Sequence, residues 1–138
     1  MSKRLYLDTS AYLCILLGEE GSDRLSEDTA GAELLSSVLL VLETKRNLVR
    51  LAREGLLNAD QYKTCVNRVE EDRGALTLRD LTLELCDSNL LPAIATPRSL
   101  DLAHLRTAIW FHAHEPIARF VTKDDAQRQA AKELGLPV

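Results

Sequence analysis

Two aspartates in this sequence each follow a short apolar run that has the composition of a buried strand. Asp8 comes directly after Arg4–Leu7, and Asp124 comes after the run that ends at Val121. A helical pattern begins just beyond each acid, so both carboxylates are expected at the carboxyl edge of a sheet, where open α/β folds bind ligands. Either aspartate alone is typical of a helix N-cap. The two together indicate a ligand site at this edge.

Two further acids, Glu43 and Asp101, lie in predicted helices. Glu43 follows the apolar stretch 38–42, so its carboxylate is expected to be partly shielded from water and to need a partner. That partner is either a cation of the same helix, Arg46 or Arg50, or a ligand. Asp101 falls in the first turn of its helix, a position that the helix dipole also favours. The sequence leaves open whether the four acids converge.

Convergence of these acids would require a cation. Two carboxylates about 4 Å apart repel by roughly 4 kcal/mol at an effective dielectric of 20, and several such pairs rival the ~5–15 kcal/mol stability of a domain. Such a cluster takes up protons or binds metal, and an all-oxygen set suits Mg²⁺ or Mn²⁺ better than zinc. A divalent ion can activate water, polarise a phosphoryl oxygen and stabilise the leaving oxyanion, as phosphodiester hydrolysis requires. No Gly-rich phosphate loop, GxSxG motif or Cys/His pair suggests another chemistry.

The elements that would position these acids alternate between strands and helices. The strands are predicted at Arg4–Leu7, around Leu34 and Leu35, at Ala75–Leu78 and at Ala118–Val121. The first helix is predicted from Ala11 to Gly18 with Thr9 and Ser10 as caps, and a second, acidic helix follows and continues to about Ala30. Further helices are predicted at Val38–Glu54, Asn58–Asp72 and Asp80–Leu91, from Ser99 to about His112, and from Asp125 to Gly135. Ser99, or Thr96 with Pro97 at the first helical position, is the predicted cap of the sixth helix, and Pro92–Pro97 is a predicted loop. This alternation predicts a parallel sheet with helices on both faces.

The helix Val38–Glu54 carries a broad apolar face. Its members are Val38, Val41, Leu42, Leu48, Val49 and Ala52. We expect this face to pack against the core.

Length and composition are those of one compact domain, 1–138. The chain has 138 residues, of which 46% are hydrophobic, and its longest apolar run, Ala11–Leu17, is far shorter than the ~20 residues of a membrane span. Asp8 interrupts the N-terminal stretch before a signal-like segment develops. We therefore expect a soluble, cytoplasmic protein without membrane association.

The cysteines and histidines show no metal-binding spacing. Cys14, Cys65 and Cys86 are predicted to be reduced, buried small hydrophobes. The three histidines, His104, His112 and His114, are interpreted as packed or solvated side chains of one helix.

The formal net charge of −4 speaks at first against a nucleic-acid partner. The acidity is concentrated in residues 19–33, which hold six acids and only one arginine, Arg24. The rest of the chain is close to neutral, so the overall charge does not exclude an RNA-binding surface.

Four ordered blocks of the sequence resemble the PIN domain, specifically that of the VapC-type toxins, from about Arg4 to Val138. The blocks are 5–11 (LYLDTSA), the helix from Ser36 through Glu43, 99–108 (SLDLAHLRTA), and 121–124 (VTKD) through the C-terminal 134–138 (LGLPV). Each block is weak alone, and the specificity of the resemblance lies in their order and separation.

The resemblance implies an acidic quartet of Asp8, Glu43, Asp101 and Asp124, all four being catalytic and metal-binding. Thr122 and Ser10 are implied as supporting polar residues, and Asp125 is the less favoured alternative to Asp124. The family's fold is α/β, PIN-like, with a five-stranded parallel sheet flanked by helices on both faces. Its implied function is endonucleolytic, Mg²⁺- or Mn²⁺-dependent RNA cleavage by the toxin of a type II toxin–antitoxin pair, inhibited by a VapB-type antitoxin. Homodimerisation is also implied.

Two positions depart from the family's pattern. Lys123 stands where an aromatic residue is frequent, and Arg106 where a small residue is common. Both are candidate RNA contacts, as are Arg46 and Arg50, which with Arg53 form a stripe near Glu43. A solvated helix face explains the stripe equally well.

Three other protein classes share part of this sequence pattern. A phospho-accepting receiver-like signalling domain also has acids at strand ends, and Asp80 resembles its phosphoacceptor, but Asp8 lacks the adjacent acid of that class. A haloacid-dehalogenase-like phosphatase would have an aspartate where Ser10 stands. A non-catalytic PIN-fold binding module is disfavoured because all four acids are present.

Overall fold

A computed structural model describes residues 2–87, 94–95 and 98–138. Its sheet has the strand order β3-β2-β1-β4, and every pairing is parallel. The strands are β1 Arg4–Leu7, β2 Glu33–Ser37, β3 Leu76–Arg79 and β4 Arg119–Val121. In register, Leu7 lies beside Val121, so β1 and β4 end at the same edge. The predicted α/β class with a parallel sheet is therefore confirmed.

The implied fifth strand is wrong for the described part of the chain, where the sheet has four strands. Beyond β4, the chain after the last helix makes one backbone hydrogen bond to the sheet, from Phe120 N to Pro137 O at 2.8 Å. Pro137 has no N–H, so it can accept from this edge but cannot donate to a ladder.

Seven helices are described. They are α1 Thr9–Leu17, α2 Ser22–Thr29, α3 Leu39–Arg53, α4 Ala59–Arg73, α5 Leu83–Asp87, α6 Ser99–His114 and α7 Asp125–Glu133. Within the described residues, none is long and apolar enough to cross a membrane.

Side chains of β1 alternate between two cores, as the period of a strand requires. Leu5 and Leu7 pack with α1 and α2, whereas Tyr6 packs with residues of α6 and α7. A third cluster joins α1, α3 and α4 through Tyr12, Leu40, Leu48 and Val69. Helices thus cover both faces of the sheet.

Three predicted helix starts are wrong. The cap of α1 is Asp8, with Thr9 already helical, because the Asp8 carboxylate accepts from Ala11 N. Arg98 holds the cap position of α6 without a side-chain capping bond, so Ser99 is not its cap. Helix α5 begins at Leu83 rather than Asp80. The alternative cap at 96–97, most of the predicted loop 92–97 and the predicted helical positions 88–91 lie outside the described residues.

The predicted apolar face of α3 is also partly wrong. Leu42 and Val49 are 67% and 46% exposed, whereas Leu40, Thr44 and Leu48 are buried. These three residues share a face at i, i+4 and i+8 toward α1 and α4. Thr44 is therefore buried, whereas the larger apolar residues Leu42 and Val49 are exposed.

The cysteines are free, as predicted, but only Cys14 is buried. Cys65 is half-buried and Cys86 is exposed, so the prediction of burial is wrong for Cys86.

Candidate active site

Asp8 lies at the junction of β1 and α1 and is 4% exposed. Its Oδ1 accepts from Ala11 N at 3.1 Å and from Ser10 Oγ at 2.7 Å, and its Oδ2 accepts from Thr122 Oγ1 at 2.5 Å. Burial raises the pKa of Asp8, although the hydrogen bonds from Thr122, Ser10 and Ala11 oppose that rise. Asp8 is thus both the cap of α1 and a buried carboxyl held by three hydrogen bonds.

Ser10 and Thr122 tie the turn after β1 to the turn after β4. Their hydroxyl oxygens are 3.1 Å apart. Ser10 Oγ also accepts from Lys123 N at 2.9 Å, and Thr122 Oγ1 accepts from Asp124 N at 3.1 Å. These contacts hold the two strand ends together, and both hydroxyls bond to the Asp8 carboxylate.

Asp124 caps α7, since its Oδ1 accepts from Ala126 N at 2.9 Å and Gln127 N at 3.2 Å. The side chain of the neighbouring Asp125 is 97% exposed and pairs with Arg128. The charge of Asp124, and not that of Asp125, is among the causes that raise the pKa of Asp101. The structure therefore associates Asp124 with the other acids.

Asp101 lies in the electrostatic field of the other three acids. Burial raises the pKa of its carboxyl first, and the charges of Asp124, Asp8 and Glu43 raise it further, while Arg98 lowers it. The four carboxylates come from the turn after β1, α3, α6 and the turn before α7, which are far apart in sequence. Their charges act on one carboxyl, and their convergence around a common metal ion stays a prediction.

Glu43 is held by α1 and α6 rather than by arginines of its own helix. Its Oε1 accepts from Thr9 Oγ1 at 2.7 Å and lies 2.8 Å from His104 Nε2. Burial raises the pKa of Glu43, but the bonds from His104 and Thr9 lower it by more, so the net shift is downward. Arg50 instead pairs with Glu54 at 3.2 Å.

His104 is the residue that sequence reasoning missed. It is 2% exposed, its Nδ1 lies 2.8 Å from Tyr6 Oη, and its Nε2 lies 3.1 Å from Thr9 Oγ1 as well as near Glu43. The interpretation as a packed histidine is correct for its burial but overlooks its contact with an acid of the site. Its spacing of three residues from Asp101, which puts both on one helix face, was the available signal.

Gln127 is a second residue that the sequence did not indicate. It is 1% exposed, and its Nε2 donates to the Asp101 carbonyl at 2.8 Å while its own N–H is capped by Asp124. It therefore links the first turns of α6 and α7. Its Oε1 is buried and has no hydrogen-bond partner among the described residues.

The site offers oxygen donors, but they are not closed around a point. In the ranges 2–87, 94–95 and 98–138, no group of three or more His, Cys, Asp or Glu side chains is placed to hold a metal ion as it stands. The donor chemistry nevertheless fits Mg²⁺ or Mn²⁺, which prefer carboxylate oxygens. The raised pKa of Asp101 reflects a repulsion between carboxylates that a cation would relieve.

A groove of about 830 Å³ adjoins the turns after β1 and β4 at Ser10 and Thr122, and none of the four candidate acids lines it. Its lining includes Ser10, Arg24, Arg119, Thr122, Lys123 and Arg128, together with the acids Glu19, Glu20 and Asp28. Arg119 pairs with Asp28 and Arg128 with Asp125. Lys123 and Arg24 have no ion pair within the described part of the chain, so they are the groove's uncompensated cations.

The other candidate RNA contacts differ in placement. Arg106 Nη1 donates to the carbonyls of Leu85 at 3.0 Å and Cys86 at 2.5 Å, which places its guanidinium at the end of α5. Arg46 is exposed on α3, and Arg50 is engaged by Glu54. Of the four candidates, Lys123 alone lines the groove.

Asp80, which resembles the phosphoacceptor of a receiver domain, is exposed at the end of β3. In the order β3-β2-β1-β4 this strand is separated from β1 by β2, so Asp80 and Asp8 follow strands about 10 Å apart. The two acids do not form one site.

Comparison with known proteins gives one clear similarity. The chain is 29% identical over 137 residues to a protein named Ribonuclease VapC35 from Mycobacterium tuberculosis, in the strains CDC 1551 / Oshkosh and ATCC 25618 / H37Rv. The aligned region covers 97% of this chain and 94% of the relative. No family model matches the chain.

Proposed function

We propose that this chain is a PIN-type, metal-dependent endoribonuclease that hydrolyses RNA phosphodiesters as the toxin of a type II toxin–antitoxin pair. The observation that carries the proposal is the hydrogen-bonded link between three of the acids: Thr122 bonds to both Asp8 and Asp124, and Gln127 bonds to both Asp124 and Asp101. The charges of Asp8, Glu43 and Asp124 also raise the pKa of Asp101. The near full-length similarity to a protein named Ribonuclease VapC35 supports the choice of ribonuclease.

The cofactor in this proposal is Mg²⁺ or Mn²⁺, held by Asp8, Asp101 and Asp124, with Glu43 completing the set directly or through water. When bound, such an ion supplies water activation and stabilises negative charge on phosphoryl oxygens. The residues themselves supply position. Asp8 is fixed by two hydroxyl donors and one backbone N–H, and Asp124 by two backbone N–H groups of α7.

Recognition of RNA in this proposal uses the groove that adjoins the turns after β1 and β4. Lys123 would contact an RNA phosphate, because it lines the groove and has no ion pair among the described residues. Arg46 and Arg50 remain candidates on the surface of α3, whereas the contacts of Arg106 favour a structural role.

The partners follow from the same proposal. A VapB-type antitoxin would inhibit the enzyme, the enzyme would form a homodimer, and it would act in the cytoplasm. These points rest on the resemblance of the four sequence blocks and on the relative's name.

The test is cleavage of a panel of structured RNAs by the purified protein in Mg²⁺, Mn²⁺ or EDTA. Asp8→Asn and Asp101→Asn should abolish metal-dependent cutting. Asp125→Asn is the matched control, because it removes an equal charge from the exposed position next to Asp124.

Equal activity of the wild type and Asp101→Asn would contradict the proposal. Metal binding by the wild type without cleavage of any RNA would favour the non-catalytic binding module instead. Phosphorylation at Asp80 by a small phosphodonor would favour the receiver class.

A further inference from the structure

His104 stands apart from the carboxylates but is connected to one of them. The ring is 2% exposed, and both of its nitrogens are engaged, Nδ1 by Tyr6 and Nε2 by Glu43 and Thr9. A ring so enclosed has no nitrogen left for a substrate or a metal ion. Any role it has must therefore act through Glu43.

The partners of the ring indicate one arrangement of donors and acceptors for a neutral imidazole. Nε2 faces a carboxylate oxygen, which can only accept, so Nε2 donates to Glu43 Oε1 at 2.8 Å. A neutral imidazole then accepts at Nδ1, and the Tyr6 hydroxyl donates to it at 2.8 Å. Tyr6 is suited to this, because burial keeps its pKa well above the usual value and the phenol stays protonated.

Tyr6 anchors this chain of hydrogen bonds in the rigid core. It is fully buried in the middle of β1, its ring stacks on Phe120 at 5.3 Å with an interplanar angle of 6°, and it meets the His104 ring edge-on at 5.9 Å. Lateral movement of the imidazole would break these contacts. The position of Nε2 is therefore set by the sheet and not by the surface of α6.

The contacts of Glu43 are all made by one of its two oxygens. Oε1 receives both Thr9 and His104, while Oε2 has no hydrogen-bond partner within the described residues. The side chain remains 20% exposed, and its charge acts on Asp101. One oxygen is thus used for attachment, and the other has no hydrogen-bond partner among the described residues.

We propose that His104 is a positioning residue that, anchored by Tyr6, clamps Glu43 Oε1 so that Oε2 is presented to a divalent cation. This inference rests on the proposed metal-dependent function. Partners of this kind, which orient a metal-ligating carboxylate, typically contribute 10–100-fold to metal affinity.

The experiment is a double-mutant cycle on Mn²⁺ affinity, measured by calorimetry on the full chain without RNA. His104→Asn ends near Nδ1 and cannot reach Glu43, whereas His104→Gln can place an amide N–H near the position of Nε2. We expect His104→Asn to weaken Mn²⁺ binding about tenfold or more and His104→Gln to restore most of that loss. In a Glu43→Gln background, His104→Asn should cause no further loss, since the residue that it positions is gone.

A merely structural role of His104 would give another pattern. Phe111→Leu, a buried change on the same helix that lies beside Tyr6 but does not touch Glu43, is the control for damage to α6. Loss of Mn²⁺ affinity in Phe111→Leu equal to that in His104→Asn, or an undiminished effect of His104→Asn in the Glu43→Gln background, would overturn the inference.

Two further outcomes are informative. If His104→Asn does not fold, Tyr6→Phe removes the anchor while keeping the ring stack, and a threefold or larger loss of Mn²⁺ affinity is expected; an unchanged affinity would overturn the proposal. If the wild type itself binds no Mn²⁺, the proposed function fails, and this inference with it. Wild-type binding that His104→Asn leaves intact defeats the inference alone.

Discussion

Repulsion between carboxylates at the candidate site disfavours the charged form of Asp101. Asp101 carries three carboxylates in its vicinity, and both burial and their charges raise its pKa. Its position in the first turn of α6 gains back only ~0.3–1 kcal/mol from the helix dipole. The cation of the proposed function would relieve this repulsion, which the helix dipole offsets only in part.

Asp101→Asn should stabilise the protein at neutral pH in EDTA. Since the folded pKa lies above the usual 3.8, the folded state binds the proton more tightly, and stability falls as pH rises from about 3.8 through the raised pKa. The amide removes that loss. Solvent screening at this partly exposed position keeps the gain small, on the order of 1 kcal/mol.

Thermal melts of both proteins between pH 3 and pH 8 would measure this difference. The advantage of the variant should be present at pH 7 and disappear below the usual pKa of an aspartate, where both proteins are uncharged at this position. A variant that is less stable than the wild type at pH 7 would mean that repulsion does not dominate at Asp101.

At the scale of elements, the parallel pairing of β1 with β4 creates the site. Because neighbouring parallel strands end at one edge, the sequence was sufficient to predict that Asp8 and Asp124 would lie together. The contact of Glu43 with His104 joins residues 61 positions apart on two helices, and no local periodicity encodes such a pairing. The buried Thr44 illustrates the same limit, since its burial depends on how α3 packs against α1 and α4.

Contacts between helices also distinguish the basic residues that are candidates for the proposed RNA binding. Arg106 of α6 supports the end of α5 through two backbone carbonyls, whereas Lys123 borders the groove without an ion pair in the described part of the chain. Arg106→Gln should therefore lower stability by about 1–2 kcal/mol with little change in RNA affinity. Lys123→Gln should leave stability unchanged and weaken RNA binding.

Fluorescence anisotropy in EDTA at several salt concentrations, with melting curves, separates these two roles. Loss of one phosphate contact in Lys123→Gln should make the salt dependence of log K shallower by about 0.7 for a single strand. The reverse pattern, with RNA affinity lost in Arg106→Gln and not in Lys123→Gln, would reassign the RNA contact to α6.

At the scale of the whole molecule, four acids from distant segments of a chain with a net charge of −4 act on one another electrostatically. The proposed metal site would couple metal binding to global stability, because the unfolded chain does not bring these segments together. The coupling does not depend on finding the right RNA, so it tests the centre of the proposal even if the ribonuclease is highly selective.

Mn²⁺ at about 100 times its dissociation constant should raise the free energy of unfolding by about 2.7 kcal/mol. For a chain of this size, that corresponds to an increase in melting temperature of roughly 5–10 °C. Asp125→Asn should respond as the wild type does, and Asp8→Asn should lose most of the response. KCl at matched ionic strength controls for simple screening of the acids. An equal response of the wild type and Asp8→Asn, or an equal effect of KCl, would show that the stabilisation is general and that the four acids do not form a specific divalent-metal site.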